Sequence, residues 1–366
     1  MSQSIKRIGI VTGGGDCPGI NAVIRAVAKT AIYQHGLQVL GIEDGFLGLL
    51  ENRMIELSSE RVSGILTRGG TILGTNNRCD PSRHYVGNDD DGNPRFEDLT
   101  DHCVKVVKRN ELDALIVIGG DGTMECAAPL VEKGINCIGV PKTIDNDLMH
   151  TEVTFGFDTA VSVASDALDR IRTTASSHHR VMFVEMMGRN AGWITLHAGA
   201  ASGADVILIP EIPFDIEKVC ARCRDRSRRG KAYTLVAVSE GAKPIGGTVV
   251  VDRVVHESPD AIRLGGVSEV INQQVAERTK LECRTTILGH IQRGGKPTAR
   301  DRVLATQFGH QAVKLLAEGT HNRMVAMQHG ELTSVPIAEV ADQQRLVLPD
   351  NPLLAACRAT GVSFGD

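Results

Sequence analysis

Aromatic side chains are scarce in this sequence. Its 366 residues include eight Phe, three Tyr and one Trp, which together make up 3% of the chain. Proteins that bind single-stranded nucleic acids stack bases on aromatic side chains, so the deficit argues against that class. An excess of positive charge is also lacking, because the formal net charge is −4. Broad binding of nucleic-acid phosphates needs many cationic side chains, and we therefore expect no nucleic-acid partner.

Long hydrophobic runs are missing as well. No apolar run approaches the roughly 20 residues that a membrane helix needs, and Lys6 and Arg7 lead directly into a short apolar segment. The nine Cys are an odd number spread along the chain, which does not suit a disulfide framework. Cys220 and Cys223 form a lone C-x-x-C pair, which favours a structural role over a metal or redox site. We therefore expect a cytoplasmic protein with no membrane segment.

Glycine, by contrast, is abundant. The chain has 39 Gly, against about 7% in average usage, while its 42% hydrophobic and 23% charged residues are ordinary for a globular protein. A length of 366 residues predicts two or three domains of about 100–200 residues each. Much glycine with few aromatics indicates a backbone that comes close to something.

Short β-branched runs alternate with helical patterns along the chain. A helix is predicted over 21–32, and polar loops are predicted over 88–94 and 241–247. Strands are predicted over 7–12, 37–42, 114–118, 181–185, 206–209 and 233–238. Nearly all of these runs are apolar throughout, as strands covered on both faces should be. The pattern predicts an α/β protein with mostly parallel sheets.

Ligands of such sheets bind beyond the carboxyl ends of the strands, so the segments that follow strands are informative. The run GGGDCPG at 13–19 is either a phosphate-binding loop or a tight turn, and it lacks the Lys-Ser/Thr of a Walker A loop. Pro18 occupies the third glycine position of the dinucleotide fingerprint, which disfavours a dehydrogenase.

Two further segments carry carboxylates. In GGDGT at 119–123, Asp121 lies between glycines, where it could hold Mg²⁺ against phosphates. In PKTIDND at 141–147, Asp145 and Asp147 point the same way on extended backbone. Such a pair suits a general base beside a metal ligand, and a solvated acidic turn is the alternative. Together the two segments indicate phosphoryl transfer.

These segments also resemble the ordered motif set of the phosphofructokinases. The motifs are GGGDCPGINA at 13–22, GGDGT at 119–123, PKTIDND at 141–147, MGR at 187–189 and LGHIQRGG at 288–295. Their order and rough spacing hold from residue 7 to about residue 310. Each motif alone could arise by chance, whereas five in sequence are specific.

The resemblance implies the phosphofructokinase fold, with two Rossmann-like three-layer α/β domains and mostly parallel sheets. Residues 1–156 with about 292–342 would form the larger, phosphoryl-donor domain. Residues from about 157–291 with 343–366 would form the smaller, fructose 6-phosphate domain. It also implies a homotetramer or homodimer.

The resemblance further implies a role for each matching residue. Asp145 matches the general base that takes the proton of the 1-hydroxyl of fructose 6-phosphate, with Thr143 beside it. Arg189 matches an arginine near the transferring phosphoryl group, and Asp121 and Asp147 match the Mg²⁺-associated carboxylates. The residues matching the donor site are Gly15, Arg78, Asp121, Gly122, Thr123 and Lys142. Those matching the sugar phosphate pocket are Thr143, Asp145, Asp147, Met187, Gly188, Arg189, Glu240, His290 and Arg293, with Arg180 and Arg284 reaching it from a neighbouring subunit.

The phosphoryl donor is the point on which the motifs disagree. Gly122 favours ATP, because an Asp at this position of the pyrophosphate-dependent relatives would clash with the α-phosphate of a nucleotide. Lys142 is usual in the pyrophosphate-dependent enzymes, although members with this Gly and this Lys are mostly ATP-dependent. The resemblance therefore favours ATP and Mg²⁺, with pyrophosphate as the alternative.

Other positions depart from the commonest bacterial pattern. Arg78 stands one residue beyond the usual place of its counterpart. Insertions near 83–98 and 242–265 are expected to form surface loops. Arg25, Arg172 and Lys231 match effector positions, but Lys29 replaces an arginine there, and the two side chains are not equivalent for phosphate. Allosteric control therefore stays open.

Two other functions compete with this interpretation. A nucleotide or lipid kinase could share GGDGT, but it does not require the segments at 141–147 and 289–295. A catalytically inactive regulatory subunit would have lost Asp121, Asp145, Asp147 or Arg189, and all four are present.

Overall fold

A computed structural model describes residues 5–254 and 262–366 of the chain. The strands of this part are β1 (Arg7–Thr12), β2 (Gln38–Ile42), β3 (Met54–Glu56), β4 (His84–Asn88), β5 (Pro94–Glu97), β6 (Ala114–Gly119), β7 (Cys137–Thr143), β8 (Phe155–Gly156), β9 (Val181–Met186), β10 (Val206–Leu208), β11 (Thr234–Ser239), β12 (Val251–Val254), β13 (Ile262–Leu264), β14 (Cys283–Ile287), β15 (Arg323–Gln328) and β16 (Glu331–Pro336). The helices are α1 (Ile20–His35), α2 (Phe46–Leu50), α3 (Thr100–Arg109), α4 (Asp121–Glu132), α5 (Phe157–His178), α6 (Trp193–Ala201), α7 (Ile216–Arg228), α8 (Val267–Thr279), α9 (Ala299–Ala317) and α10 (Pro352–Ala359).

The larger sheet has eight strands in the order β16-β15-β7-β6-β1-β2-β3, with β8 beside β7. Its inner strands are parallel, and only β3 and β16 pair antiparallel with their neighbours. Along β6, Ile116 and Ile118 belong to the cluster formed with α1 and α9, whereas Leu115 and Val117 pack with residues of α3 and α4. Apolar residues on both faces of a strand require helices on both sides, which explains the three layers.

The second sheet has four parallel strands in the order β10-β11-β9-β14. Met182 and Val184 of β9 face the cluster that contains α5 and α6, and Val181 and Phe183 face α7 and α8. This is again a three-layer arrangement. The mixed α/β fold with mostly parallel sheets expected from the sequence is therefore confirmed.

The strands of the larger sheet lie within residues 7–156 and 323–336, and those of the four-stranded sheet lie within 181–287. The domain boundaries at 156, 292 and 343 remain a prediction.

The insertions differ from the expected surface loops. Residues 84–97 form the antiparallel hairpin of β4 and β5, so Asn88 is the last residue of β4 and Pro94 the first of β5, and only 89–93 form the connecting loop. Tyr85 and Phe96 pair across this hairpin with ring centroids 6.0 Å apart, and such aromatic pairs stabilise two-stranded sheets. In the second insertion, β12 and β13 pair antiparallel, and residues 255–261 lie outside the described part.

All nine Cys are free, and Cys220 and Cys223 lie buried in the apolar cluster of α7 and α8. Burial raises the pKa of the Cys223 thiol to about 12, which suits a packing role. Among residues 5–254 and 262–366, no helix combines the length and apolar character needed to span a bilayer.

Candidate active site

The three motif loops at 13–19, 119–123 and 143–147 begin at the carboxyl ends of β1, β6 and β7. These strands are parallel neighbours in the larger sheet, so their carboxyl ends meet at one edge. The fold therefore brings together three segments that are up to about 130 residues apart in sequence.

The glycine loop after β1 is held by backbone and hydroxyl contacts. The N–H of Gly13 donates to the carbonyl of Ile118 at 2.9 Å, and the N–H of Gly14 donates to that of Asn76 at 3.3 Å. The Thr75 hydroxyl lies 3.0 Å from the carbonyl of Thr12 and 2.6 Å from that of Gly14. The segment that carries Arg78 therefore supports this loop.

Thr123 explains why glycines flank the site. A Cβ on Gly13 would lie 2.5 Å from Thr123 Cγ2, and a Cβ on Gly119 would lie 2.1 Å from Thr123 Cβ. Both approaches are too close for any other residue. Gly122, in the first turn of α4, is different, because its added Cβ would meet nothing within 4 Å.

Two cationic side chains meet the glycine loop. Lys142 is only 4% exposed, and its Nζ donates to the carbonyl of Gly15 at 2.7 Å. Burial lowers the pKa of Lys142. Arg293 Nη1 donates to the carbonyl of Asp16 at 3.2 Å. The loop therefore lies between positive charges from two distant segments.

Asp145 lies among these charges. Its N–H donates to the Thr143 hydroxyl at 3.0 Å, while its buried Oδ1 has no hydrogen-bond partner. Burial raises the pKa of the Asp145 carboxyl, opposed by the positive charges of Arg293 and Lys142. Buried acceptors are normally satisfied. Asp145 Oδ1 can thus accept a hydrogen bond from a ligand hydroxyl.

Asp147 is 9% exposed, and burial raises the pKa of its carboxyl to about 8. The negative charges of Asp145 and Asp121 raise this pKa further. A divalent cation would relieve this repulsion. Within residues 5–254 and 262–366, no cluster of three or more Cys, His, Asp and Glu forms a metal site. Asp121 and Asp147 are the residues here that could hold a divalent cation, because a hydrated Mg²⁺ needs only one or two protein carboxylates.

The segment after β9 forms the facing side. Gly188 has a φ of +137°, and a Cβ there would lie 2.8 Å from the carbonyl oxygen of Ala191. The Ser239 hydroxyl donates to the Gly188 carbonyl at 2.6 Å, and Glu240 Oε1 accepts from the Gly188 N–H at 3.4 Å. A Cβ on Gly241 would strike the carbonyl of Arg189. Close packing of β9 and β11 thus fixes the backbone at 188–189.

Burial raises the pKa of the Glu240 carboxyl to about 7, and the charge of Asp145 adds to this effect. Such a carboxyl holds its proton more tightly in the folded state. Its contribution to stability is therefore complete below about pH 4.5 and is lost as the pH rises through about 7.

We expect Glu240→Gln to raise the free energy of unfolding at pH 8 by about 3 kcal/mol, because the amide needs no charge burial. The gain should shrink toward zero near pH 5. Urea unfolding at pH 5, 6.5 and 8 measures it, and parallel curves for wild type and variant at all three values would contradict the account.

Arg180 and Arg284 lie together, in a separate cluster. The Glu282 carboxylate accepts from Arg180 Nε and from Arg284 Nη2, both at 2.8 Å. These ion pairs lower the pKa of Glu282. The structure therefore presents the mostly buried Arg180, just before β9, beside the half-exposed Arg284 of the edge strand β14.

The remaining candidates are more exposed. Met187 is half-buried against the central cluster, whereas Arg78 and His290 are exposed. Hydrogen bonds and charge interactions thus connect most of the candidate residues to one another. These are Gly15, Thr143, Lys142, Asp121, Asp145, Asp147, Gly188, Glu240 and Arg293.

Sequence reasoning missed Gln344 and Arg345. Gln344 Nε2 donates to Asp121 Oδ2 at 3.0 Å, and Arg345 Nη2 donates to the carbonyl of Asn146 at 2.6 Å. Neither residue belongs to a recognisable motif, and only the folded chain brings them to the site.

The fold and this cluster define a three-layer α/β protein whose polar site lies at the carboxyl ends of parallel strands. The family model described as Phosphofructokinase matches residues 7–316. The chain belongs to the phosphofructokinase family.

Several relatives extend over the whole chain. A Clostridium perfringens protein named ATP-dependent 6-phosphofructokinase 2 is 48% identical over 100% of both chains. An ATP-dependent 6-phosphofructokinase of Chloroflexus aurantiacus is 45% identical over 100% of this chain and 99% of its own length. The protein of that name from Mycobacterium tuberculosis is 46% identical over 93% of this chain and 96% of its own.

Solved structures agree on the fold. Pichia pastoris phosphofructokinase in the T-state matches with a TM-score of 0.79 and 32% identity over 93% of this chain, which spans 38% of that longer chain. A pyrophosphate-dependent phosphofructokinase from Nitrosospira multiformis matches with a TM-score of 0.81 over 99% of this chain and 93% of its own, at 22% identity. The second match bears on the fold alone.

Proposed function

We propose that the chain is an ATP-dependent 6-phosphofructokinase. It transfers the γ-phosphoryl group of ATP to the 1-hydroxyl of fructose 6-phosphate, which gives fructose 1,6-bisphosphate and ADP in glycolysis. The observation that carries this conclusion is the full-length identity of 43–48% to relatives that bear this name, from several bacterial groups. The contacts of Asp145, Lys142 and Arg293 support this chemistry.

In this proposal Asp145 is the general base. Its unpartnered Oδ1 accepts the proton of the 1-hydroxyl of the sugar. The sugar hydroxyl oxygen attacks the γ-phosphorus, and the bond from that phosphorus to the oxygen bridging it to the β-phosphate of ATP breaks. Thr143 fixes the Asp145 backbone through its hydroxyl. The buried Lys142 and the partly buried Arg293 supply the positive charge that phosphoryl transfer requires, and Arg189 adds to it from the facing segment.

The acceptor is assigned to the facing segment. Met187, Gly188, Glu240 and His290 would contact the sugar phosphate. The Gly188 N–H already donates to Glu240 Oε1, so these two residues are held in place before the sugar phosphate binds.

Asp121 and Asp147 would hold Mg²⁺. The ion, when bound, neutralises charge on the donor phosphates. Burial and the charges of Asp145 and Asp121 raise the pKa of Asp147. This supports the assignment, because a bound cation favours the ionised form of that carboxyl.

Gly15, Arg78, Gly122 and Thr123 are assigned to the donor. Gly122 leaves open space at the first turn of α4, which supports ATP over pyrophosphate because a nucleotide needs room for its α-phosphate. Lys142 donates a hydrogen bond to the carbonyl of Gly15. It therefore supports the glycine loop, and its presence does not by itself indicate a pyrophosphate donor.

We expect Gly122→Asp to lower kcat/KM for MgATP by at least about 10²-fold, because a carboxylate facing a phosphate costs several kcal/mol. Gly122→Ala is the matched control, since its Cβ meets nothing within 4 Å and it should retain ATP activity. Initial rates at varied MgATP measure both. Equal losses in the two variants would show that size, and not charge, matters here.

The donor and acceptor are tested with purified protein and Mg²⁺. ATP with fructose 6-phosphate should give a turnover of about 1–100 s⁻¹, as is typical of kinases. Pyrophosphate in place of ATP, and a nucleoside or diacylglycerol in place of the sugar phosphate, should give less than about 1% of this rate. Faster turnover with pyrophosphate would replace the proposed donor, and turnover only with another acceptor would replace the proposed function.

We also infer a cytoplasmic homotetramer or homodimer, with Arg180 and Arg284 reaching the sugar phosphate of a neighbouring subunit. Their pairing on Glu282 at an edge strand supports this, since it presents both cations together. The division into a donor domain and a sugar phosphate domain belongs to the same proposal.

A further inference from the structure

The segment after β16 returns to the site. Its residues 344–347 are named the strap here. Gln344 pairs antiparallel with Leu148, and its side-chain Nε2 donates to Asp121 Oδ2 at 3.0 Å. One carboxylate oxygen of Asp121 is therefore held by a neutral donor, which restricts rotation of the group and leaves its other oxygen available.

The next strap residue holds the loop after β7. The Arg345 N–H donates to the Asp147 carbonyl at 2.7 Å. Its guanidinium Nη2 donates to the carbonyls of Asn146 at 2.6 Å and Glu152 at 3.1 Å. Asn146 has a φ of +53°, a left-handed conformation that surrounding contacts must maintain. Arg345 supplies such contacts on the residue between Asp145 and Asp147.

The strap also contacts the facing side of the site. The Arg345 guanidinium lies 4.4 Å from the ring centroid of Trp193, and Trp193 Nε1 donates to the Arg345 carbonyl at 2.8 Å. The Val347 N–H donates to Glu211 Oε1 at 2.9 Å, and Glu211 also accepts from the N–H of Gly192 at 3.0 Å. Trp193 and Gly192 form the start of α6, a few residues after Arg189.

We infer that the strap positions Asp121 and the 145–147 loop relative to the Arg189 segment, and that Gln344 and Arg345 are positioning residues for the phosphoryl-transfer site. The inference rests on the proposed function. Phosphoryl transfer depends on placement, and a displacement of about 1 Å can cost about 10²-fold in rate. The strap contacts three parts of the site: the loop at 119–123, the loop at 145–147 and the start of α6.

Gln344→Ala tests the contact with Asp121. Loss of a partner that orients a ligand typically costs about 10–100-fold in metal affinity or activity. We expect about tenfold lower kcat, little change in KM for fructose 6-phosphate, and about tenfold weaker binding of Mn²⁺ alone, followed by its EPR signal. Gln343→Ala is the matched control, because this neighbour carries the same side chain and is exposed.

Arg345→Lys tests the contact with the loop at 145–147. Lysine keeps the charge but not the planar fork that reaches two carbonyls. We expect faster hydrogen exchange at the amides of 145–148, altered emission from Trp193, the only tryptophan of the chain, and lower kcat at an unchanged urea midpoint.

The outcomes separate the two proposals. If wild type is inactive with ATP and fructose 6-phosphate, the proposed function fails, and Mn²⁺ binding and hydrogen exchange still decide on the strap. If wild type is active and Gln344→Ala matches Gln343→Ala in kcat and Mn²⁺ affinity, the positioning role is wrong. A fall in kcat that follows a fall in the urea midpoint would also overturn it, because the loss would then be one of stability.

Discussion

Asp145→Asn is expected to lower kcat by about 10²–10⁴-fold, the usual contribution of a general base. The amide has the shape of the carboxylate, but it cannot accept the proton of the attacking hydroxyl. Because Asp145 Oδ1 has no partner within the described chain, no internal hydrogen bond is broken. Burial disfavours the ionised carboxylate at this position, so the neutral amide should not destabilise the fold.

Steady-state kinetics with a urea unfolding curve measure the effect of Asp145→Asn. KM for fructose 6-phosphate and the unfolding midpoint should change little. Asp90→Asn, the same chemical change in the exposed turn between β4 and β5, is the control and should behave as wild type. Turnover by Asp145→Asn within about tenfold of wild type would remove Asp145 from the role of base.

Arg189→Ala is expected to have the largest effect, a loss of about 10³–10⁵ in kcat, as for arginines that stabilise the transferring phosphoryl group. Its backbone is fixed by the close approach of Gly241, so the change should act at the side chain without moving the loop. Arg189→Lys should recover part of the rate, because it restores one positive charge but not the bidentate fork.

Single-turnover rates with both variants at saturating substrates isolate this effect from binding. The argument requires that kcat falls far more than either KM rises, since the charge is needed chiefly in the transition state. A variant that loses affinity for fructose 6-phosphate but keeps its single-turnover rate would assign Arg189 to binding alone.

Much of the fold could be predicted because buried parallel strands leave a clear pattern. The apolar runs at 114–118 and 181–185 became β6 and β9, each covered on both faces. The helix predicted over 21–32 extends to Ile20–His35 and ends at Gly36, which has the left-handed conformation common after helices. The first insertion was not predicted as a hairpin, since Asp and Asn in its turn at 89–93 obscured two short strands.

The site was predictable where residues follow parallel strands, because sheet topology alone brings their loops together. The placement of Asp145 and Asp147 beside Asp121 follows from this topology, and their role in the reaction stays a prediction. The carbonyl that Lys142 bonds, at Gly15, could not be read from the pattern. Gln344 and Arg345 were missed because their contacts to Asp121 and Asn146 depend on how a late segment crosses the finished fold.

The most direct test of the central claim identifies the products. Purified protein, Mg²⁺, fructose 6-phosphate and ATP are followed by ³¹P NMR. The account predicts that ATP is converted to ADP in a one-to-one ratio with a new phosphomonoester at C1 of the sugar, and that pyrophosphate is not consumed in a parallel sample. Consumption of pyrophosphate without consumption of ATP, or phosphate released to water with no new sugar ester, would contradict it.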